Sequence, residues 1–458
     1  MLRKNISLII ITVALATVIS SCNLYKKFEM PKEGATGEYA AIAAEPVDST
    51  ALGNLSWEEI FTDPVLQGFI RKALDNNIDL KNAKLNVDIA QAHLLGAKLS
   101  YLPSLAIAPN GNGSSFAGSK MSWTYQLPLS ASWEIDIFAK LTNSKRQAKA
   151  ALLQSEAYQQ AVRSQIIGSV ANVYYSMVSL EKQLALSRET ADKWKESVEV
   201  MKDMKEAGRF TEVAVVQSTA NYYSVLASIP GIEMSLHELN NTMSLLLKEQ
   251  PQMWQVNINS ILNLPAKFDA GVPISYLAAR PDIKAAEQSL AQAYYVTNKA
   301  RAAFYPSLVI SANGGFTNLL GSIITNPGKW FIQLAGQLTA PIFSRGQNIA
   351  NLKASKAQQQ QSLNNFEYTM LNASAEVSDA LVKLTKNAQK QVFLNNQVNN
   401  LEKAVAFNQD LLTLGTTTYL EVLTAEQSLL NAQMQKLNCE LSMTQAAVNL
   451  YQSLGGGR

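Results

Sequence analysis

The pattern of apolar and polar positions changes its period several times along the chain. From Trp123 to Trp133 it alternates. Trp123, Tyr125, Leu127, Leu129, Ala131 and Trp133 share one face, and Thr124, Gln126, Pro128, Ser130 and Ser132 share the other. A second stretch follows the same rule, with Trp330, Ile332, Leu334, Gly336 and Leu338 alternating with Phe331, Gln333, Ala335, Gln337 and Thr339. Alternation over about 11 residues with aromatic ends predicts strands of the length that crosses a bilayer, with Trp123, Tyr125, Trp133 and Trp330 as interfacial girdle residues. The shorter runs Leu105–Ala108 and Leu308–Phe316 are the expected partners. Lys120 is the only charge between Leu102 and Trp133, and Lys329 the only one between Ala302 and Thr339. That scarcity of charge favours membrane strands over the alternative, a soluble amphipathic hairpin.

Elsewhere the period is seven. Ile166, Val173, Leu180, Ser187, Trp194 and Met201 form one row, and Val170, Met177, Leu184, Ala191 and Val198 its companion. Met370, Val377, Leu384, Gln391, Val398, Val405 and Leu412 repeat the spacing, accompanied by Phe366, Ala373, Ala380, Leu394 and Leu401. A strict seven-residue repeat predicts left-handed supercoiling. Helices of about 65 residues extend about 100 Å, more than one compact core can cover. An isolated fibrous coiled coil would share this pattern but would not need the strands. Seams interrupted by Ala, Ser, Gln and Asn suit helices packed side by side around a wet lumen.

The two patterns recur because the chain is an internal duplication. Tyr101-Leu102-Pro103-Ser104-Leu105 matches Phe304-Tyr305-Pro306-Ser307-Leu308, Ile137-Phe138 matches Ile342-Phe343, and Ala207-Gly208 matches Leu414-Gly415. The shift is 203, 205 and 207 residues in turn. A near-constant period of this length marks a repeated structural unit. The expected organisation is a first repeat over 57–265, with strands near 103–109 and 123–134 and a long helix near 142–207. A second repeat over 266–458 has strands near 306–316 and 330–340 and a long helix near 346–413. Four strands cannot close a barrel, and open edges are not tolerated in lipid. Two chains would supply eight strands and three would supply twelve. The helical bulk favours three, a homotrimer.

Composition narrows the function. The 458 residues are 47% hydrophobic and 16% charged, with 39 basic and 36 acidic side chains. The balance gives nucleic-acid binding no electrostatic support. Two His and two Cys are too few for a zinc or iron–sulfur framework. His93 and His237 read as structural or solvent-facing, Cys439 as a buried small residue, and Gly455-Gly456-Gly457 as a flexible tail. No paired carboxylates, phosphate loop or nucleophile elbow stands in a supporting context, so no catalytic residue and no cofactor are expected.

The N-terminus reads as an address. Arg3 and Lys4 precede an apolar run from Ile6 to Ile19, too short for a good membrane span, which leads into Ser20, Ser21 and Cys22. Ile19-Ser20-Ser21-Cys22 resembles a bacterial lipobox. That resemblance implies a signal peptide over 1–21, acylation of Cys22, and a polar linker over 22–56; the alternative is a plain signal with an incidental Cys. Acyl chains contribute about 0.8 kcal/mol per buried CH2, so a multiply acylated end is a firm anchor. Asn23, where an inner-membrane lipoprotein would carry Asp, favours the outer membrane.

The whole stretch after Cys22 resembles the outer membrane factor family, the TolC and OprM type of efflux and secretion channel, and within it the lipoprotein branch serving RND pumps. Trp57-Glu58-Glu59-Ile60-Phe61-Thr62-Asp63-Pro64-Val65-Leu66 is similar to the family's segment before its first helix. Ser132-Trp133-Glu134-Ile135-Asp136-Ile137-Phe138 is similar to its strand-to-helix junction, with Ala340-Pro341-Ile342-Phe343 and Gly346 as the second copy. The resemblance implies a mixed α and β membrane protein: a trimeric 12-stranded outer-membrane β-barrel continued by a 12-helix periplasmic α-barrel.

It further implies that the two helix–helix turns form a periplasmic tip that meets an adaptor (membrane fusion) protein and holds the gate. The tip residues are Gly208, Arg209, Phe210 and Thr211 in one turn, and Gly415, Thr416, Thr417, Thr418 and Tyr419 in the other. In each turn Gly is expected to end one helix in a left-handed conformation and Thr to cap the next. Many members carry an acid six positions after the tip Gly. Glu421 keeps it, whereas Ala214 lacks it. Thr417 stands where some have Arg, Leu412 where some have Tyr, and Thr424 where Asp is common. The expected gate is therefore closed by helix packing, with Glu421 as an acidic ring. The function so implied is a passive outer-membrane exit duct for an inner-membrane RND pump. The alternatives are a duct for an ABC exporter or type I secretion, and a lipid-anchored coiled-coil scaffold.

Overall fold

The computed structural model describes residues 25–31, 55–115, 117–118, 120–262, 274–319 and 329–457. Cys22 and the whole signal segment lie outside the described residues, as does the 265/266 boundary between the repeats. Helices α1 (Trp57–Ile60), α2 (Pro64–Asn76) and α3 (Ile78–Leu99) lead to strands β1 (Ser104–Ile107), β2 (Asn110–Ser114) and β3 (Ser122–Ile135), then helices α4 (Lys140–Glu206) and α5 (Glu212–Leu247). After a 3-10 turn at Ile274–Ala279 come α6 (Pro281–Ala302), β4 (Ser307–Leu319), β5 (Lys329–Thr339), α7 (Gln347–Thr413) and α8 (Tyr419–Ser453).

Local chemistry sets the starts. Ser56 and Glu59 form a reciprocal capping box at α1. Asp63 caps α2 ahead of Pro64, whose missing N–H costs nothing in a first turn. The 67-residue α4 starts where the Asp136 carboxylate accepts the Leu141 and Thr142 amides at 2.8 and 2.7 Å.

The strands form one antiparallel sheet in the order β1–β3–β4–β5, with β2 also on β3. The Gly- and Asn-rich stretch after Pro109 lies outside the expected strands near 103–109 and 123–134, yet Asn110–Ser114 pairs with β3. The register of β1 carries straight through to β2: Ile107 faces Leu129, and Asn110 faces Gln126. The break falls at Ala108–Pro109: the Ala108 amide donates to the Pro128 carbonyl at 3.3 Å, but Pro128 has no N–H to return to Ala108. Gly111 and Gly113 sit on the apolar face, and the Trp123 ring covers Gly113 so closely that a Cβ there would meet it at 2.9 Å. The side chain missing from one strand is supplied by its neighbour.

Pairing sorts the sheet into two faces. One carries Leu105, Ile107, Leu127, Leu129, Trp133, Ile310, Phe316, Trp330, Ile332, Leu334 and Leu338, all 41–76% exposed. The opposite face presents Gln126, Ser130, Ser132, Asn313, Gln333 and Gln337. Trp123 is exposed on the apolar face as well. Tyr125, expected beside it, is on the same face but only 8% exposed. Among the described residues, no helix is long and apolar enough to cross a membrane.

The sequence repeats are not the compact units of the structure. One unit takes residues 25–31, 85–157 and 284–368; the other takes 55–84, 158–262, 274–283 and 369–457. Each draws on both repeats; in the second unit α4 of the first copy is joined to α8 of the second by Gln183 to Asn438 and Gln445 to Ser176. In the first unit, Ala150, Ala291 and Tyr295 form a small core over which Phe28 and Tyr294 pack. In the second, the heptad rows are the buried ones: Ile166, Val170, Met177, Leu184, Ala191, Trp194, Val198 and Met201 of α4, and Met370, Ala373, Val377, Ala380, Leu394 and Val398 of α7. The fully buried Tyr174 donates its hydroxyl to Asp63 at 2.8 Å and accepts the Asn257 amide at 3.1 Å. Burial alone would raise the Asp63 carboxyl, but neighbouring polar groups, among them the hydrogen-bonded Tyr174 hydroxyl and Val65 amide, outweigh it and hold it below the usual range.

The glycine tail corrects an expectation. Gly455, Gly456 and Gly457 are buried rather than loose. Gly455 and Gly457 each adopt a φ of +82°, which other residues resist. The Gly456 carbonyl accepts the Ser164 hydroxyl at 2.5 Å, and the Gly457 amide donates to the Tyr451 hydroxyl at 2.8 Å. A Cβ on Gly456 would run into the Tyr451 ring. Composition suggested flexibility; close backbone approach is what the three glycines permit. Gly456→Ala should therefore lower stability by about 1–3 kcal/mol through overpacking. Gly96→Ala, within α3 and with nothing within 4 Å of the new methyl, should raise it by about 0.5–1 kcal/mol. Thermal unfolding followed by circular dichroism checks both signs.

Candidate functional site: the paired helical turns

The chain turns back on itself at Gly208 and again at Gly415, in the same geometry. Gly208 has φ +71° and Gly415 φ +72°. The amide of the residue after each glycine reaches back to the last turn: Arg209 to the Met204 carbonyl at 2.9 Å, and Thr416 to Leu411 at 3.0 Å. The glycine amides bond Lys205 at 2.9 Å and Leu412 at 3.1 Å. Both ends are Schellman motifs, related by 207 residues. Thr211 and Thr418 occupy the cap positions of α5 and α8 in extended backbone, but neither hydroxyl caps. The amides of Ala214 and Glu421 go instead to the carbonyls of those cap residues, at 3.1 Å each, which leaves the hydroxyls without that role.

Between the two hairpins lies an apolar cluster. Trp194, Met201, Val215, Tyr419, Val422 and Leu423 are buried together, with Phe210, Ala214, Tyr222 and Leu412 packed against them. The Phe210 and Tyr419 rings meet edge to face, with centroids 6.1 Å apart. The Tyr419 hydroxyl is 3.1 Å from Ser218 Oγ, a buried pair joining α5 to α8. Burial pushes the Tyr419 hydroxyl above its ordinary value.

The structure thus gathers Phe210, Ala214, Leu412 and Tyr419 into one packed core and leaves Arg209, Thr211, Thr416, Thr418 and Glu421 exposed. Thr417 donates its hydroxyl to the Glu421 carboxylate. Thr424 is exposed; its hydroxyl returns to the Leu420 carbonyl at 2.8 Å, and it lines a groove of about 360 Å³ between α5 and α8 with Gln217, Asn221 and Gln427. Exposed Val213, Val216, Leu414 and Leu420 surround the turns.

Two features escaped the sequence reading. Lys205 and Glu212 form an ion pair across the first turn, where the second copy has Leu412 and Tyr419. Aligning the copies on their tip glycines would have shown that exchange of a charged pair for an apolar one. Further along α8, Glu426 accepts Gln409 Nε2 of α7 at 3.1 Å. Burial raises the Glu426 carboxyl, and only the Gln409 hydrogen bond and the charge of Lys193 oppose it. A raised carboxyl pKa means that ionised Glu426 burdens the folded state at neutral pH and that the burden lifts as pH falls towards the unfolded value. Glu426→Gln should therefore protect the tip amides from hydrogen exchange at pH 7, with the gain fading near pH 4.

The chain matches the family model described as outer membrane efflux protein over residues 69–247 and 272–456. It is 30% identical over 409 residues to the outer membrane lipoprotein SilC of Salmonella typhimurium, covering 88% of each chain. It is 29% identical over 456 residues to the cation efflux system protein CusC of Escherichia coli K12, covering 96% of this chain and 98% of that one. With the toluene efflux pump outer membrane protein TtgC of Pseudomonas putida, identity is 28% over 467 residues, covering 96% and 94%. A crystal structure of CusC superimposes with a TM-score of 0.84 at 27% identity, over 94% of this chain and 98% of that one. The outer-membrane channel OprN reaches 0.84 at 24% identity, over 95% and 99%, as a match of fold. Sheet, paired long helices and twin turns are therefore the fold of a channel, and this chain belongs to the outer membrane efflux protein family, whose place is the bacterial outer membrane.

Proposed function

We propose that three copies of this chain form a passive exit duct, which receives substrates from an inner-membrane RND transporter through a periplasmic adaptor. The observation that carries this reading is the sheet: one exposed apolar face, one polar face, and two outer strands, β1 with β2 and β5, that each pair on one side alone among the described residues. In lipid every backbone donor and acceptor needs a partner, so those edges call for further copies. Counting β1 and β2 as one interrupted strand, each copy brings four, and three copies give twelve.

The helices ask for neighbours too. Leu85, Ile89, Leu95 and Leu99 of α3 and Val213, Val216, Tyr223 and Met234 of α5 are 51–63% exposed at helical spacing. Exposed apolar rows of this length mark association surfaces. The polar sheet face would then line the lumen. The relatives' names span cations, toluene and antibiotics. Such breadth suits a duct that takes whatever its pump delivers, with no catalytic step and no cofactor. Cys22 would anchor the chain in the outer membrane through its acyl chains.

The two turns are the adaptor contact in this reading, and the cluster around Tyr419 holds the aperture shut by packing. Two measurements test it. A photoreactive residue at Arg209 or Thr418 should trap an adaptor that co-purifies with an RND transporter; capture of an ABC exporter's adaptor would move the duct to secretion, and capture of neither would refute the tip assignment. In planar bilayers the reconstituted trimer should conduct, and Glu421→Gln should reduce cation selectivity by about severalfold while leaving closure intact. Unchanged selectivity would remove Glu421 from the lumen lining.

A further inference from the structure

The net charge of the whole chain conceals a concentration of basic side chains. In the three turns of α3, α4, α6 and α7 nearest the sheet, together with their links to the strands and Glu134 at the end of β3, the chain places ten of its 39 basic residues and only two of its 36 acidic ones. The two acids are already engaged. Glu134 pairs with Lys140, and Asp136 caps α4. The remainder of the chain is net acidic, so this zone is a positive collar of one compact unit.

The collar adjoins the apolar sheet face. Trp133, on that face, donates its indole N–H to the Tyr101 carbonyl at 2.8 Å. The Tyr101 ring carries Lys145, whose Nζ lies 5.6 Å from its centroid. Lys149 follows Lys145 one helical turn on, also exposed. Lys98 stands one turn before Leu102, which is 62% exposed, and its duplicate Arg301 stands one turn before Tyr305, which is 47% exposed. Aromatic rings between an apolar wall and exposed cations give the order of a membrane interface: acyl chain, glycerol level, headgroup.

We propose that Lys98, Lys145 and Arg301 bind the phosphate groups of anionic phospholipids in the membrane leaflet that faces the helices. The channel would then hold an annulus of phosphatidylglycerol-type lipid, which fixes its depth and provides counter-charge to the collar. This rests on the reading of the apolar face as lipid-facing. Lys140 is excluded because its charge is spent on Glu134 on the polar face of the sheet.

The test uses the full-length trimer carrying Trp123→Phe and Trp330→Phe, so that Trp133 reports from the apolar face. It is reconstituted into phosphatidylethanolamine vesicles containing either brominated phosphatidylglycerol or brominated phosphatidylcholine. Trp133 quenching should favour phosphatidylglycerol by more than about fivefold at low ionic strength, and the preference should shrink as salt screens it. In K98Q/K145Q/R301Q, three exposed changes expected to leave the trimer intact, it should fall towards one. Equal quenching by the two lipids in the parent protein, or a preference that survives the triple variant, would overturn the assignment. Absence of quenching by either lipid would overturn the lipid-facing reading itself.

Discussion

A backbone amide or carbonyl inside a hydrocarbon layer has no water to turn to, and the architecture follows from that. A sheet with an apolar face can enter lipid only if it has no edge. One copy of this chain makes a sheet whose outer strands each pair on a single side among the described residues. Closure must come from other copies, and whatever lies beyond the sheet must repeat with the same symmetry. The duplication within the chain serves the same end. Two hairpins and two helical turns per copy let a barrel of many strands be built from few chains.

The helical part is governed by a milder constraint. Its seams bury small and polar residues as well as large ones: Ser187, Ala191, Ala373 and Ala380 are as buried as Trp194 or Met201. Small residues let long helices lie close without demanding a thick core. The apolar cluster at the turns adds aromatic rings, with Phe210 against Tyr419. The duplicated turns differ there: one is spanned by an ion pair and the other by Leu412 and Tyr419.

What the sequence made legible was whatever has a local signature. Alternation placed Leu127, Leu129, Ile332 and Leu334 on one face because side chains in a strand have no choice but to alternate. Gly208 and Gly415 announced helix ends because a positive φ there favours glycine. Asn110–Ser114 was illegible as strand, since it holds no apolar residue and owes its pairing to Trp123 and Tyr125 across the ladder. Of the gate candidates, Thr417 and Glu421 meet, whereas Thr424 is occupied with its own helix, a distinction that depends on rotamers rather than on spacing. The Gly455–Gly457 stretch misled for the opposite reason: glycine signals freedom by composition, and close contact only in context.

That tail also bears on how the protein reaches its native state. Tyr451, whose hydroxyl holds the Gly457 amide, donates the same hydroxyl to the Leu55 carbonyl, 396 residues earlier in sequence. A contact of that separation cannot form until nearly all of the chain is available, and the loop it closes is among the longest the fold contains. High contact order slows folding and prolongs the exposure of apolar strands.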